Sequence, residues 1–204
     1  EYTQTDLAEF AESLFSAGCF TEAFEHFEKQ VTKLGFDGVL YTYIPRALLN
    51  SNFLREPVYE VSSSYSPGYM KHYADARFEK HDPLIKAVMD GVSEPIDWWG
   101  EITNKYMEAD TASREVLATS RSYDIANGIT LPLMSEQRGI AGASFITSEA
   151  KRFDVLKREN LERLKLCTQM FHSLVVSDAC HVSHFLKPIL NALTDTELRF
   201  LQKL

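Results

Sequence analysis

The chain has 204 residues, of which 45% are apolar, 12% aromatic and 25% charged, and its formal net charge is −8. This composition is typical of a globular protein and excludes a fibrous, collagen-like or disordered chain. Because an acidic surface repels phosphate backbones, residues 1–204 are not expected to bind DNA by themselves. No apolar run approaches the roughly 20 residues that a membrane-spanning helix needs, so we expect a soluble protein without a membrane anchor.

The cysteines indicate the cellular compartment. Cys19, Cys167 and Cys180 are odd in number and form no C-x-x-C pair, which favours a reducing cytoplasm. The sequence begins at Glu1 without a basic-then-apolar leader. We therefore expect a trimmed or disordered N-terminus rather than a signal peptide.

The first half of the chain alternates helical and strand patterns. Helical spacing of apolar residues predicts amphipathic helices over 7–15 and 20–34, and Gly35 ends the second one. The β-branched and aromatic run 38–44 predicts a buried strand, and a second strand is expected over 57–63. Turn and capping signals then predict short helices over 69–78 and 82–91 and a further helix over 110–122.

The second half predicts a hairpin followed by a long helix. Residues 128–133 and 139–147 have strand patterns and are separated by a polar loop over 135–138. Residues 152–178 carry a wide apolar stripe at helical spacing. This order of helices, strands and helices predicts an α+β fold, in which helices cover an antiparallel sheet.

The last residues indicate a new unit. Thr194 and Glu197 have the spacing of a capping box, so a helix is predicted to begin there. About two turns of it remain before Leu204. We therefore expect the chain to end inside a second domain.

Enzyme and cofactor motifs are scarce. The sequence contains no Walker loop, dinucleotide fingerprint or H-E-x-x-H motif. Ser144 lies in a strand pattern and lacks the second glycine of a nucleophile elbow. Cys180, His181 and His184 have no fourth ligand at a recognisable spacing, so neither a metal nor another cofactor is expected.

Aromatic residues between positions 65 and 98 indicate a binding pocket. Tyr69 and Tyr73 are four residues apart, so both phenols project from one helix face. Asp82 precedes Pro83 in the pattern of a helix N-cap, and Trp98 follows as a second aromatic wall. Capping by Asp82 and simple core packing of the tyrosines are the alternatives. The residues alone therefore predict an aromatic pocket in which the side chains end in polar groups.

Several of these motifs together resemble a known family. In this order and spacing, the sequence resembles the autoinducer-binding domain of LuxR-type quorum-sensing regulators through Tyr65, Tyr69, Tyr73, Asp82-Pro83, residues 95–98, residues 128–132 and Ser144. Residues 193–198 resemble the opening of the family's helix-turn-helix DNA-binding domain. The resemblance implies an α-β-α sandwich with a five-stranded antiparallel sheet over 1–178, a linker helix over 179–192 and a truncated DNA-binding domain over 193–204.

The resemblance also implies a function without catalysis. An N-acyl homoserine lactone would lie between sheet and helices of a cytoplasmic homodimer, and its occupancy would control DNA binding by the C-terminal domain. By resemblance, Asp82 would accept the ligand's amide N–H and Tyr73 would donate to its acyl carbonyl. Trp98 would pack against the lactone ring, and Ser144 would contact the amide or a 3-oxo group. Tyr65, Tyr69, Pro83 and Gly128 complete the expected ligand-binding set.

One residue departs from the family pattern. Tyr69 stands where most members have a tryptophan that donates to the lactone carbonyl. A phenol can donate or accept, so the contact could be shifted, bridged by water or directed at another ligand. Two alternatives therefore stay open: an orphan regulator that binds a different hydrophobic molecule, and a hydrolase of acylated compounds that uses Ser144 and the histidines.

Overall fold

The computed structural model describes residues 3–45, 58–135, 139–190 and 193–194. In this part of the chain, eight α-helices flank a five-stranded antiparallel sheet. The strands are β1 (Gly38–Pro45), β2 (Tyr59–Val61), β3 (Ile96–Asp97), β4 (Asn127–Ser135) and β5 (Gly139–Thr147), in the order β2-β1-β5-β4-β3. The helices are α1 (Gln4–Ser16), α2 (Phe20–Lys33), α3 (Pro67–Asp75), α4 (Pro83–Met89), α5 (Glu101–Ala109), α6 (Thr111–Arg121), α7 (Phe153–Ser177) and α8 (Ala179–Leu190).

Helices α1, α2, α7 and α8 cover one face of the sheet. Their core is rich in phenylalanine, and Phe27 stacks on Phe171 with ring centroids 4.5 Å apart. Tyr41 from β1 reaches this layer, where its hydroxyl lies 2.8 Å from His172 Nδ1. Such burial of aromatic rings supplies much of the stability of this half of the molecule.

Helices α3 to α6 cover the opposite face. Strand alternation divides β1 between the two layers: Val39, Tyr41 and Tyr43 belong to the phenylalanine-rich core, whereas Leu40 and Thr42 face helices α3 and α4. The second core contains tyrosines of α3, Trp98 and apolar residues of α4 and α6. The chain thus forms an α-β-α sandwich, and the predicted α+β class is confirmed.

Most predicted elements are present with shifted ends. The second strand shortens to Tyr59–Val61, and Ser66 starts α3 two residues earlier than predicted because its hydroxyl accepts the Tyr69 N–H. Strand β3 and helix α5 were not predicted. Residues 136–138 of the expected hairpin loop and the helix expected from Thr194 lie outside the described residues.

No helix in the described ranges is both long enough and apolar enough to cross a bilayer.

Candidate ligand-binding site

A cavity lies between the sheet and helices α3 and α4. Its empty space is about 780 Å³ when the open solvent at its mouth is counted. The lining is mostly apolar, with hydroxyl groups and one carboxylate among it. The residues that line it are Leu40, Thr42, Ile44, Tyr59, Tyr65, Tyr69, Met70, Tyr73, Asp82, Leu84, Ile85, Val88, Met89, Trp98, Thr130, Ile140, Ala141, Gly142 and Ser144.

Asp82 is the carboxylate in this lining. It caps α4, because Oδ1 accepts the Leu84 N–H at 2.7 Å and the Ile85 N–H at 3.4 Å. Its other oxygen, Oδ2, accepts the Tyr73 hydroxyl at 2.8 Å. Asp82 is only 8% exposed, and burial raises the pKa of its carboxyl despite these hydrogen bonds. Capping uses one oxygen, so Oδ2 retains a lone pair that can accept from a ligand.

Helix α3 presents its tyrosines to the cavity. Tyr69 and Tyr73 are both buried on one helix face, as their spacing predicts, with ring centroids 6.1 Å apart. Tyr65 packs on Tyr69, and its buried hydroxyl has no hydrogen-bond partner among the described residues. Burial raises the pKa of Tyr65 and of Tyr69, so both remain neutral phenols that can donate or accept.

A second polar group lies on the sheet side of the cavity. The Trp98 indole Nε1 donates to Thr130 Oγ1 at 3.1 Å, and Thr130 Oγ1 lies 2.8 Å from Ser144 Oγ. Trp98 covers Gly128, where an added Cβ would lie 2.8 Å from the indole ring and 2.8 Å from the Phe145 carbonyl oxygen. The glycine thus allows the ring to lie flat against β4.

The remaining lining is apolar and extends towards a partly exposed methionine. Met89, at the end of α4, is 47% exposed although it lines the cavity. Ile44 and Ile140 are cross-strand partners on the cavity face of β1 and β5. At Gly142 an added Cβ would meet nothing closer than 3.9 Å, so the missing side chain leaves room in the cavity floor.

The structure brings six of the eight sequence-predicted residues into this lining, namely Tyr65, Tyr69, Tyr73, Asp82, Trp98 and Ser144. Pro83 instead occupies the first turn of α4, and Gly128 supports Trp98 from behind. The Tyr73 hydroxyl donates to Asp82 Oδ2 at 2.8 Å and so orients the carboxylate. Donation from Tyr73 to a ligand carbonyl stays a prediction.

Sequence reasoning missed Thr130 and Thr42 as polar lining residues. Both lie in strands where every second residue enters the phenylalanine-rich core, so the period of two was the signal that could have placed them on the cavity face. The contact between Thr130 and Ser144 could not be predicted in this way, because it depends on strand register. The two residues are cross-strand partners of β4 and β5.

The described residues do not assemble a metal site or a recognisable nucleophile. No group of three or more His, Cys, Asp or Glu side chains in the described ranges could hold a metal ion. The Ser144 hydroxyl bonds to Thr130 rather than to a histidine. The geometry offers hydrogen bonds and apolar contacts to a ligand.

Comparison with known proteins identifies the class. Residues 20–175 match the family model described as the autoinducer binding domain. No curated protein matches the chain in sequence closely enough to count as a relative. The chain belongs to the autoinducer-binding domain family, which confirms the resemblance to LuxR-type regulators. This family is a signal-binding class of regulator domain rather than an enzyme class.

Solved structures show the same fold at low sequence identity. Escherichia coli SdiA matches with a TM-score of 0.63 and 14% identity, over 98% of this chain and 82% of SdiA. CepR2 from Burkholderia cenocepacia, an N-acylhomoserine lactone-dependent LuxR family transcription factor, matches with a TM-score of 0.58 and 15% identity, over 88% of this chain and 94% of CepR2. SdiA in complex with octanoyl-rac-glycerol matches with a TM-score of 0.54 and 14% identity, over 100% of this chain and 84% of that one.

Proposed function

We propose that this domain binds an N-acyl homoserine lactone in the cavity, with the polar head at Asp82 and the acyl chain along the apolar lining. The single observation that carries the proposal is the buried Tyr73–Asp82 pair, which contains the one carboxylate of a mostly apolar lining. A buried carboxylate with spare acceptor capacity is costly unless a donor reaches it. An amide N–H is such a donor.

The apolar lining supplies most of the proposed affinity. Each buried methylene contributes about 0.8 kcal/mol, so an eight-carbon acyl chain contributes roughly 6 kcal/mol before ordering costs. The hydroxyls of Tyr69 and Ser144 and the Asp82 carboxylate then select the head group, because a mismatched polar atom would lose its partner on burial. Affinity and selectivity thus reside in different parts of the cavity.

A second candidate ligand is an acylated molecule with a hydroxyl-bearing head. The observation that favours it is the buried Tyr65 hydroxyl, which has no partner among the described residues, beside the Tyr69 phenol at the family's tryptophan position. Hydroxyl groups both donate and accept, as phenols do. Octanoylglycerol, which is bound to SdiA in a solved structure of that protein, is the matching probe.

The proposal extends to signal transmission. Ligand buried in the cavity stabilises the folded domain by mass action, so the folded and competent fraction of the protein rises with the signal concentration. A DNA-binding domain that begins at residue 193 would respond to this change in the cytoplasm. We also propose a homodimer through α7, whose exposed face carries the large apolar residues Val155 and Leu166.

Calorimetric titration tests the proposed ligand. The domain should bind N-octanoyl homoserine lactone with one site per chain, and binding should raise the melting temperature. Octanoic acid and free homoserine lactone are the matched controls, because each carries one half of the ligand. Equal binding of octanoic acid and of the lactone would contradict the proposed role of the head group.

A further inference from the structure

Three side chains form a hydrogen-bonded series on the cavity side of the sheet. Trp98 Nε1 lies 3.1 Å from Thr130 Oγ1, which lies 2.8 Å from Ser144 Oγ. All three residues line the cavity. The indole and the threonine are 4% exposed and the serine is 9% exposed, so water does not freely reach any of them.

The chemistry of the indole fixes the direction of the first hydrogen bond in this series. An indole N–H is only a donor, so Thr130 Oγ1 must accept from Trp98. Thr130 Oγ1 and Ser144 Oγ then share one hydrogen bond, which either hydroxyl can donate. In both arrangements one hydroxyl proton of the pair is left for the cavity.

Ser144 is the member that presents this donor. If Ser144 donated to Thr130 instead, the Thr130 oxygen would accept two hydrogen bonds and the Thr130 hydroxyl proton would point into the cavity. Thr130 is, however, the less exposed of the two side chains. The observed exposure favours the order Trp98, Thr130, Ser144. An unused donor on a nearly buried side chain favours a ligand that brings an acceptor.

We propose that Thr130 is a positioning residue for ligand selection, which orients Ser144 as a hydrogen-bond donor towards an acceptor oxygen of the ligand. This inference rests on the proposed function, since it requires an acyl ligand in the cavity. It complements Asp82, whose free lone pair accepts from the ligand. The site therefore selects ligands that present a donor to Asp82 and a carbonyl oxygen to Ser144.

A double-mutant cycle tests whether Thr130 acts through Ser144. The probe is N-(3-oxooctanoyl)-homoserine lactone, which carries carbonyl oxygens at both C1 and C3, and the measurement is its dissociation constant by calorimetry. Thr130→Val and Ser144→Ala should each weaken binding by about threefold to tenfold, the effect of one hydrogen bond. The double variant should be no weaker than Ser144→Ala alone.

The control is Thr130→Ser, which keeps the hydroxyl and removes only the methyl group. It should bind the probe within about twofold of the parent. Melting temperatures without ligand record the structural cost of leaving the Trp98 N–H without an acceptor. Repeating the titrations with N-octanoyl homoserine lactone identifies the oxygen: equal losses point to the C1 carbonyl, and smaller losses point to C3.

Two results would overturn the inference, and they differ from each other. If Thr130→Val weakens binding equally in the parent and in the Ser144→Ala background, Thr130 only supports Trp98 and does not orient Ser144. If the parent binds neither lactone, the proposed function fails and this inference fails with it.

Discussion

Replacement of Asp82 separates capping of α4 from ligand recognition. In Asp82→Ala the Leu84 and Ile85 N–H groups lose their cap, which costs about 1 kcal/mol. The Tyr73 hydroxyl loses its acceptor, which costs a further 1–3 kcal/mol where no water replaces it. Together these losses predict destabilisation by about 2–4 kcal/mol, less the relief from no longer burying a carboxyl group.

Asp82→Asn keeps much of the structure but changes the chemistry offered to the ligand. The amide oxygen can still cap α4, and Tyr73 can accept from the amide nitrogen, so stability should fall by less than in Asp82→Ala. The ligand N–H would then face a donor instead of a carboxylate. Binding should weaken by about 1–3 kcal/mol, or roughly fivefold to 150-fold. Chemical denaturation and calorimetric titration of both variants measure the two effects.

The same residue predicts a pH dependence. Burial raises the pKa of the Asp82 carboxyl, so the stability contributed by this group is present below the ordinary carboxyl pKa and is lost as the pH rises through the native value. A ligand that donates to Asp82 favours the ionised form. Its affinity should therefore fall as the pH is lowered through the native pKa, and Asp82→Asn should lack this dependence.

Two results would show that Asp82 does not recognise the ligand. Asp82→Asn that binds the lactone as tightly as the parent would show that Asp82 only caps the helix. An unchanged pH dependence in that variant would lead to the same conclusion.

Three further predictions concern ligand identity, cavity size and assembly. Tyr69→Phe should weaken lactone binding by about 0.5–1.5 kcal/mol in titrations and Tyr69→Trp should be tolerated; if Tyr69→Phe changes neither lactone nor octanoylglycerol binding, the ring is only a wall. Gly142→Ala should keep the parent's melting temperature but weaken binding of longer acyl chains by about fourfold per excluded methylene, whereas Gly128→Ala should lower the melting temperature because its Cβ would clash with Trp98. Light scattering of the ligand-bound domain should give the mass of a dimer that Leu166→Glu dissociates, and a mass near 23 kDa for the parent at high concentration would refute the dimer.

Sequence periodicity predicted the layers of the fold well because burial imposes it. Helices α1, α2 and α7 bury apolar residues at helical spacing. Strand β1 is rich in β-branched and aromatic residues, and β5 extends over nine residues. Strand β3 has only two residues, too few to show a period. Helix α5 buries Thr103 and Met107. Because Thr103 is polar, the buried face of this helix does not show as an apolar pattern in the sequence.

Local motifs predicted the helical side of the site, whereas contacts between elements could not be predicted from them. The tyrosine spacing on α3 and the Asp82-Pro83 cap are short-range patterns, and the structure bears out both geometries. The Thr130–Ser144 contact joins two strands, so it depends on a register that no local motif encodes. The donation from Tyr73 to Asp82 likewise depends on how α3 packs against the start of α4. The binding roles of these residues remain predictions.

Native mass spectrometry tests the central claim, that an acylated signal occupies the cavity, most directly. The domain is mixed with equal amounts of N-octanoyl homoserine lactone, octanoylglycerol and octanoic acid, and Gly142→Phe is the matched variant whose ring would fill the cavity. We expect one adduct per chain with the mass of the lactone for the parent and little adduct for the variant. No adduct on the parent, or equal adducts on parent and variant, would contradict the account.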